Sequence, residues 1–357
     1  MFSSTNRKIW RNPTKKKTML KIGSLLFCLF LVLQASKICL REPELTDDQF
    51  YDILEKEYFK YSQQKVISIE CANPNDNSTC LYIIDSLGYD IDGSWFAGRF
   101  ITPIPALTQG FLSVSKLMKP VFKSKSAMDT TTWRVDTGIL DPATPNGVEM
   151  ASLFTTGHFK TSKEITGNVT FIGVATGALI SFVSHHFKNL NLVGVDIDPH
   201  SEYLAKKWFG YVDTSKSKIL IGDGAEHIKK MALAGETSDA VLVDACHNNI
   251  PEDGIYCPVE PIRTLEFLEN LSKVIGKNGI TAFNLYSMYD GTERYEELKK
   301  SFSMHFAKCK LLNTTKHISN AFLICSNSDF GGDKVNRTEV KEFLDKIRLQ
   351  TFMQYLV

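Results

Sequence analysis

Residues 168–198 decide the fold of this chain, and they read NVTFIGVATGALISFVSHHFKNLNLVGVDID. The apolar runs at 169–175 and 192–197 each have the length of a buried strand, and the residues between them, 178–187, have the apolar spacing of a helix. Continuous apolar strands that alternate with helices are typical of a parallel sheet covered on both faces. The stretch therefore predicts a βαβ unit.

The same alternation continues toward the carboxyl terminus, where further strands are predicted at 218–221, 240–244 and 280–285. Two final apolar runs, 309–312 and 321–325, are separated by eight residues. Because eight residues are too few for a crossover helix, these runs are expected to pair as an antiparallel hairpin. The pattern predicts an α/β fold whose mostly parallel sheet ends in that hairpin.

The helix predicted after Pro261 has the clearest pattern among the connecting segments. Proline is expected in its first turn, and Asn278-Gly279 is its expected end. Its predicted apolar face is formed by Ile262, Leu265, Leu268, Leu271 and Ile275. Another helix is predicted from about 292 to 306, after the fifth strand.

The segment 45–165 precedes the alternating strands and helices and lacks their regular pattern. We expect it to be smaller and β-rich. It begins with a capping box, Thr46-Asp-Asp-Gln49, and a short helix. Strands are predicted at 66–70 and 80–85. Prolines interrupt 103–145, where we expect loops and one short helix near 112–118. The lysines nearby are expected to form a solvated face, at Lys116, Lys119, Lys123 and Lys125.

The first forty residues are typical of a targeting segment. Lys and Arg total 41 and Asp and Glu total 40, but seven of the basic residues and none of the acidic ones precede residue 22. The apolar stretch 22–36 then has the length of a signal-peptide core, and without a clear cleavage site it also fits an uncleaved signal anchor. Either reading places the body in the secretory lumen or outside the cell, as a membrane protein anchored through 22–36 or as a secreted one.

The body has the composition of a folded protein without a nucleic-acid partner. The whole chain has 357 residues and is 43% hydrophobic, which excludes a disordered protein. Beyond residue 21, the chain has 34 basic residues and 40 acidic ones. A mildly acidic body lacks the basic face that nucleic acid requires.

Cysteine placement favours the same oxidising compartment. Apart from Cys28 and Cys39, the cysteines fall into local pairs, namely Cys71 with Cys80, Cys246 with Cys257, and Cys309 with Cys325. Free buried thiols are the alternative for the last pair. A metal site is not expected, because the chain has no paired Cys or His at metal-ligand spacing. Five glycosylation sequons add modest support, at Asn77, Asn168, Asn270, Asn313 and Asn336.

Small and acidic residues follow the predicted strands, at the edge where open α/β sheets bind ligands. Gly173-Val-Ala-Thr-Gly177 forms a small-residue turn before a helix, which allows a ligand close to the backbone. Asp196 is placed to accept from ribose hydroxyls, Asp223 from an exocyclic adenine amine, and Asp244 faces the reacting end of the ligand. Each acid alone could be a helix cap. Because all three follow the ends of neighbouring predicted strands, they predict one nucleotide-type site.

Short motifs along these strands carry a family resemblance. They are Val195-Asp-Ile-Asp-Pro199, Lys207-Trp-Phe-Gly210, Ile221-Gly-Asp-Gly224, Val243-Asp244 and Tyr256-Cys-Pro258. With them, residues 169–327 resemble class I S-adenosylmethionine-dependent methyltransferases of the spermidine synthase-like group, in particular the carboxyl-terminal domain of methyltransferase-like proteins that modify elongation factor alpha. The resemblance implies a Rossmann-like seven-stranded sheet and S-adenosylmethionine as the cofactor. The cofactor-binding residues that it implies are Gly173, Ala175, Gly177, Asp196, Ile197, Asp223, Gly224 and Asp244, with Asp244 also the catalytic candidate.

Charge, apolar length, strand and helix pattern and the resemblance together divide the chain into segments. We expect a basic segment at 1–21, the signal segment at 22–36, a β-rich segment at 45–165, the methyltransferase-like domain at 166–328 and a carboxyl-terminal helix within 329–357.

Departures from the family pattern limit the function. Ala175 stands where the group usually has glycine, and Phe171 where an acid often stands. Asp244 is followed by Ala-Cys-His-Asn-Asn, without the second acid that aminopropyl transfer needs, so spermidine synthesis is not expected. His247 in this loop is a candidate general base. Two hypotheses remain: a methyltransferase acting on a protein or small-molecule acceptor, and a catalytically inactive relative kept as an extracellular binding or structural domain.

Overall fold

Two separate β-sheets organise the computed structural model. The structure describes residues 44–349, except 77–78, 90–92, 104, 106–111, 142–143, 158, 248–250, 288–290, 314–319 and 331–334. The predicted basic and signal segments, with Cys28 and Cys39, lie outside the described residues. Within the described part, no helix is both long and apolar enough to cross a membrane.

The larger sheet contains the alternating half of the sequence. Its strands are β5 (Gly167–Ile172), β6 (Leu190–Asp196), β7 (Ser217–Ile221), β8 (Ala240–Val243), β9 (Ile255–Cys257), β10 (Ile280–Ser287), β11 (Lys308–Asn313) and β12 (Ala321–Ser326). Seven of them lie in the order β11-β12-β10-β8-β5-β6-β7, and β9 pairs with the end of β10. The central pairings are parallel, and β12 is antiparallel to both of its neighbours. The predicted seven-stranded α/β fold with a terminal hairpin is confirmed.

Helices cover both faces of this sheet, because its strands are apolar on both sides. The helices of the described chain are α1 (Asp47–Ile53), α2 (Pro145–Thr155), α3 (Ala178–His186), α4 (Ser201–Trp208), α5 (Gly224–Ala234), α6 (Leu265–Ile275), α7 (Gly291–Phe302) and α8 (Arg337–Lys346). Phe182 and Phe343 belong to the core on one face, while Leu271 and Phe302 belong to the core on the other. α8 lies within the predicted carboxyl-terminal segment.

The helix after Pro261 differs from its prediction. Pro261 lies in a separate 3₁₀ turn, Glu260–Arg263, and α6 begins two residues after that turn with Thr264 as its cap. Leu265 is 61% exposed and is not part of the apolar face. The prediction was wrong at this end because the Thr264 side chain accepts from the Phe267 amide and restarts the helix there.

The smaller sheet has four antiparallel strands in the order β1-β2-β3-β4. They are β1 (Gln64–Cys71), β2 (Cys80–Tyr89), β3 (Trp95–Thr102) and β4 (Ser113–Lys116). The capping box is confirmed, since Thr46 accepts from the Gln49 amide and the Gln49 side chain accepts from the Thr46 amide. The first two strands were predicted, whereas β3 was not.

The short helix predicted near 112–118 is wrong, because that segment contains β4. Val114 is buried, and the strand completes the sheet by pairing Lys116 with Gly98 and Ser113 with Ile101. A four-residue strand is too short for its alternation to be distinguished from a helical turn, so pairing with β3 decides its conformation.

All three predicted disulfides are formed. Cys71 lies directly opposite Cys80 in the β1–β2 pair, and Cys309 directly opposite Cys325 in the β11–β12 pair. The Cys246–Cys257 bridge instead joins the segment after β8 to β9.

Candidate functional site

A cleft of about 250 Å³ lies at the carboxyl ends of β5, β6, β7 and β8. Most of the predicted site residues line it together, namely Gly173, Ala175, Asp196, Ile197, Asp223, Gly224 and Asp244. Gly177 instead caps the start of α3 in a left-handed conformation, with φ of 73°. The common register of the strands therefore places the acids around one cavity, as the sequence predicted.

The turn after β5 approaches the segment after β8 very closely. Gly173 has φ of +83°, and a Cβ atom there would lie 2.3 Å from the backbone oxygen of Asp244. No side chain fits at that distance, so glycine is required by both space and conformation. Ala175 also has a positive φ, 48°.

Asp196 organises this turn. Its Oδ2 atom accepts from the backbone amides of Val174 and Ala175, both at 2.7 Å, and its Oδ1 atom accepts from the amide of Asp198 at 2.9 Å. The carboxylate therefore holds Ala175 in its left-handed conformation. Sequence reasoning gave Asp196 only a ligand-binding role, and its bonds to the turn are a further one.

Asp223 caps α5 at the neighbouring strand end. Its Oδ1 atom accepts from the amides of Ala225 and Glu226, at 2.7 and 3.2 Å. The capping contacts fix the carboxyl group where it lines the cleft.

Asp244 lies in a network of side-chain amides. Asn284 donates to its Oδ1 atom at 2.6 Å, Asn146 donates to its Oδ2 atom at 3.1 Å, and Asn320 donates to the Asn284 carbonyl at 2.8 Å. Burial raises the pKa of Asp244, and the hydrogen bonds from Asn284 and Asn146 act in the opposite direction. None of the three asparagines was predicted.

Glu149 is a second acid that sequence reasoning missed at this point. It is completely buried, and it lines a small cavity of about 40 Å³ with Asp244, Asn146 and Gly173. Burial, followed by the nearby charge of Asp244, raises the pKa of Glu149 well above its usual range, while a backbone hydrogen bond with Val243 lowers it. A helix starting at Pro145 would have placed Asn146 and Glu149 on one face, which is the signal the sequence offered.

The loop after Asp244 forms the opposite wall. His247 lines the cleft, and its Nε2 atom lies 3.0 Å from a carboxylate oxygen of Glu260. Potential ligand atoms of Asp244, Cys246 and Cys257 lie within 4.8 Å of one another. The two sulfur atoms form a disulfide, however, so neither is available as the thiolate that a metal would need.

The smaller sheet closes the cleft from above. Leu81 and Ile101 of this sheet, and Leu112 directly before β4, contribute apolar lining. The hydroxyl groups of Ser113 and Thr176 are hydrogen-bonded at 2.7 Å and are both buried, so the sheet is tied to the turn after β5. The cleft is therefore built by both sheets.

Comparison with known proteins supports the resemblance seen in the sequence. No known family model matches the chain. The eEF1A lysine and N-terminal methyltransferase of Xenopus laevis is 29% identical over 122 residues, which cover 34% of this chain and 18% of that protein. The polyamine aminopropyltransferase of Vibrio vulnificus is 26% identical over 125 residues, covering 34% of this chain and 40% of that protein. The chain thus matches less than half the length of either relative.

A solved structure supports the fold. A probable spermidine synthase from Corynebacterium glutamicum has a TM-score of 0.51 and 14% sequence identity, over 78% of this chain and 86% of that one. The relatives confirm the predicted resemblance to methyltransferases and to the spermidine synthase-like group, and the solved structure confirms the fold.

Proposed function

We propose that this chain binds S-adenosylmethionine in the cleft and transfers its methyl group to an acceptor. The observation that carries the proposal is the convergence of Asp196, Asp223 and Asp244, from the ends of three strands, on one cavity. Sequence similarity to named methyltransferases supports it.

The residues present fit such a cofactor. Among the described residues that line the cleft, four are aspartates and none is lysine or arginine, which suits a cationic ligand. Ile197 is 73% exposed and offers an apolar surface beside Asp196 for the adenine ring. The absence of a Cβ at Gly173 lets the turn after β5 pack directly against the backbone of Asp244, so that both line the same cleft.

Each part of the cleft then has a role. The turn from Gly173 to Gly177 holds the methionine portion, Asp196 accepts from the ribose hydroxyls, and Asp223 with Gly224 and Ile197 holds the adenine. Bound there, the cofactor supplies an already activated methyl group. The protein's own contribution is therefore alignment, with Asp244 at the reacting end, and exclusion of water by Leu81, Ile101 and Leu112.

The methyl acceptor is a protein or a small molecule. A protein acceptor is supported by the similarity to enzymes named for methylating eEF1A. Aminopropyl transfer is disfavoured because His247, paired with Glu260, stands in the loop where that reaction needs a second acid. The three disulfides support the proposed location of the body in the secretory lumen or outside the cell.

Calorimetric titration of S-adenosylmethionine and its demethylated product into the purified, oxidised protein tests the proposal. We expect micromolar binding, and we expect Asp196→Ala to weaken it about 100-fold, because a charged acceptor of hydrogen bonds is lost from both ligand and turn. Asp213→Ala is the control, since Asp213 pairs with Lys206 outside the cleft. No binding by the folded wild type would overturn the proposal and favour the inactive relative.

The Cys246–Cys257 bridge gives a separate prediction. Replacing both residues with serine should weaken cofactor binding about tenfold, because the loop that carries Ala245 and His247 must then be ordered on binding. The same titration measures the change. The matched control is Cys309→Ser with Cys325→Ser, which should lower stability without changing affinity, since neither residue lines the cleft. Equal losses of affinity in the two variants would contradict a local role for the bridge.

A further inference from the structure

Glu149 is a fully buried acid at the base of the cleft that no step of the proposed function uses. It projects from α2 into the small cavity that Asp244 and the Gly173 turn also line. Asn146, one helical turn earlier, donates to Asp244. Two carboxyl groups from different elements therefore meet beneath the methionine portion of the proposed cofactor site.

No positively charged side chain among the described residues acts on Glu149. The strands that pack near it, β5, β8, β10 and β12, contain no acidic or basic residue. α2 has no other charged residue, and the charged residues of α8, which packs against it, are all exposed. Within the described part of the chain, Asp244 is the charged side chain that acts on Glu149, and Asp196 acts in turn on Asp244. Two negative charges so close together in the interior are strongly disfavoured.

We infer that Glu149 is a positioning residue that holds a proton beside the Asp244 carboxylate and releases it when a cationic cofactor binds. The inference rests on the proposed function. With the proton in place, the two carboxyl groups carry one negative charge, and Asn146 and Asn284 stabilise it by donating to Asp244. A cation bound in the cleft stabilises a second negative charge, so Glu149 ionises as well. Its O–H bond breaks and the proton passes to solvent.

Proton release on binding is the direct test. S-adenosylmethionine and its demethylated product, which both carry an ammonium group, are titrated into the wild type in phosphate and in Tris, whose ionisation enthalpies differ. We expect release of up to one proton per site, and therefore an affinity that rises by up to tenfold per pH unit while the pair titrates.

Glu149→Gln keeps the shape of the side chain but cannot ionise. It should bind the cofactor without this proton release and without this dependence on pH, whereas Glu269→Gln on the exposed face of α6 should behave as the wild type. A purely structural Glu149 would leave the proton count of the wild type and the glutamine variant equal. Equal counts would overturn the inference while leaving the proposed function intact; no binding by any folded variant would overturn both.

A second measurement needs no cofactor. Because the folded protein holds the proton more tightly than the unfolded chain, its stability should fall as pH rises above the ordinary glutamate value of 4.5, toward the raised pKa of Glu149. The difference in unfolding free energy between wild type and Glu149→Gln should therefore grow with pH, in favour of the variant. A difference that stays constant with pH would overturn the proton-holding role even if the variant binds poorly.

Discussion

Replacing Gly173 with alanine should abolish cofactor binding and lower the free energy of unfolding by about 3 kcal/mol. The added Cβ would meet the backbone of Asp244 at 2.3 to 2.6 Å, at a residue whose φ is +83°. Backbone atoms cannot rotate away as a side chain can, so the turn and the segment after β8 must separate. Both line the cleft, and denaturant unfolding with calorimetric titration measures the two losses.

Gly235→Ala is the matched control for this change. Gly235 also has a left-handed conformation, with φ of +69°, but nothing lies within 4 Å of the Cβ position. It caps α5 away from the cleft, so the variant should lose only about 1 kcal/mol and bind the cofactor normally. Equal losses of stability in the two variants, with unchanged affinity for the cofactor, would contradict a role for the close contact at Gly173 in cofactor binding.

The sequence predicted the larger sheet well because its strands are apolar on both faces. A run such as 169–172 has no solvent-facing position, so its burial does not depend on which neighbour it meets. The acids at the strand ends follow from the same argument, since parallel strands finish at a common edge. Asp196, Asp223 and Asp244 could therefore be assigned to one site without any structure.

The smaller sheet and the polar base of the cleft were less predictable. β4 has only four residues, and its conformation depends on pairing with β3. Glu149 is an acid whose burial is decided by elements distant in sequence, with Asp244 almost a hundred positions away. Intrinsic preference places such a residue at the surface, and only the packing of α2 against the sheet overrides that preference.

The bonds of Asp196 to the turn explain why the alanine at 175 is compatible with the site. A glycine would adopt the positive φ by itself, whereas Ala175 needs its amide held by the carboxylate. Asp196 thus supplies through tertiary contacts what a glycine would supply locally. These hydrogen bonds depend on tertiary contacts, so the sequence alone could not reveal them.

Replacing Arg99 with methionine should destabilise the protein by about 3 to 5 kcal/mol. Arg99 is 3% exposed and forms two hydrogen bonds with Asp85, which is completely buried, at 2.7 and 2.9 Å. It also donates to the backbone oxygens of Thr130 and Trp208. Removal of the guanidinium leaves the buried Asp85 carboxyl group without its counter-charge and two hydrogen bonds, and urea unfolding followed by circular dichroism measures the cost.

The double variant Arg99→Met with Asp85→Leu separates the pair from the packing around it. It should recover much of the lost stability, because no charge then remains buried. Lys56→Met, which breaks an exposed pair with Asp52, should leave stability unchanged. No recovery in the double variant would instead assign the effect to the contacts with Thr130 and Trp208.

The pair of Arg99 and Asp85 should also affect the cleft. Arg99 lies on β3 and donates to the backbone oxygen of Trp208, the last residue of α4, so it links the smaller sheet to a helix of the larger one. Ile101 on β3 packs with Leu204 of α4, and both line the cleft. Arg99→Met should therefore weaken cofactor binding as well as stability, whereas the double variant should restore both together. Restored stability with persistently weak binding would show that the guanidinium itself sets the position of β3 over the cleft.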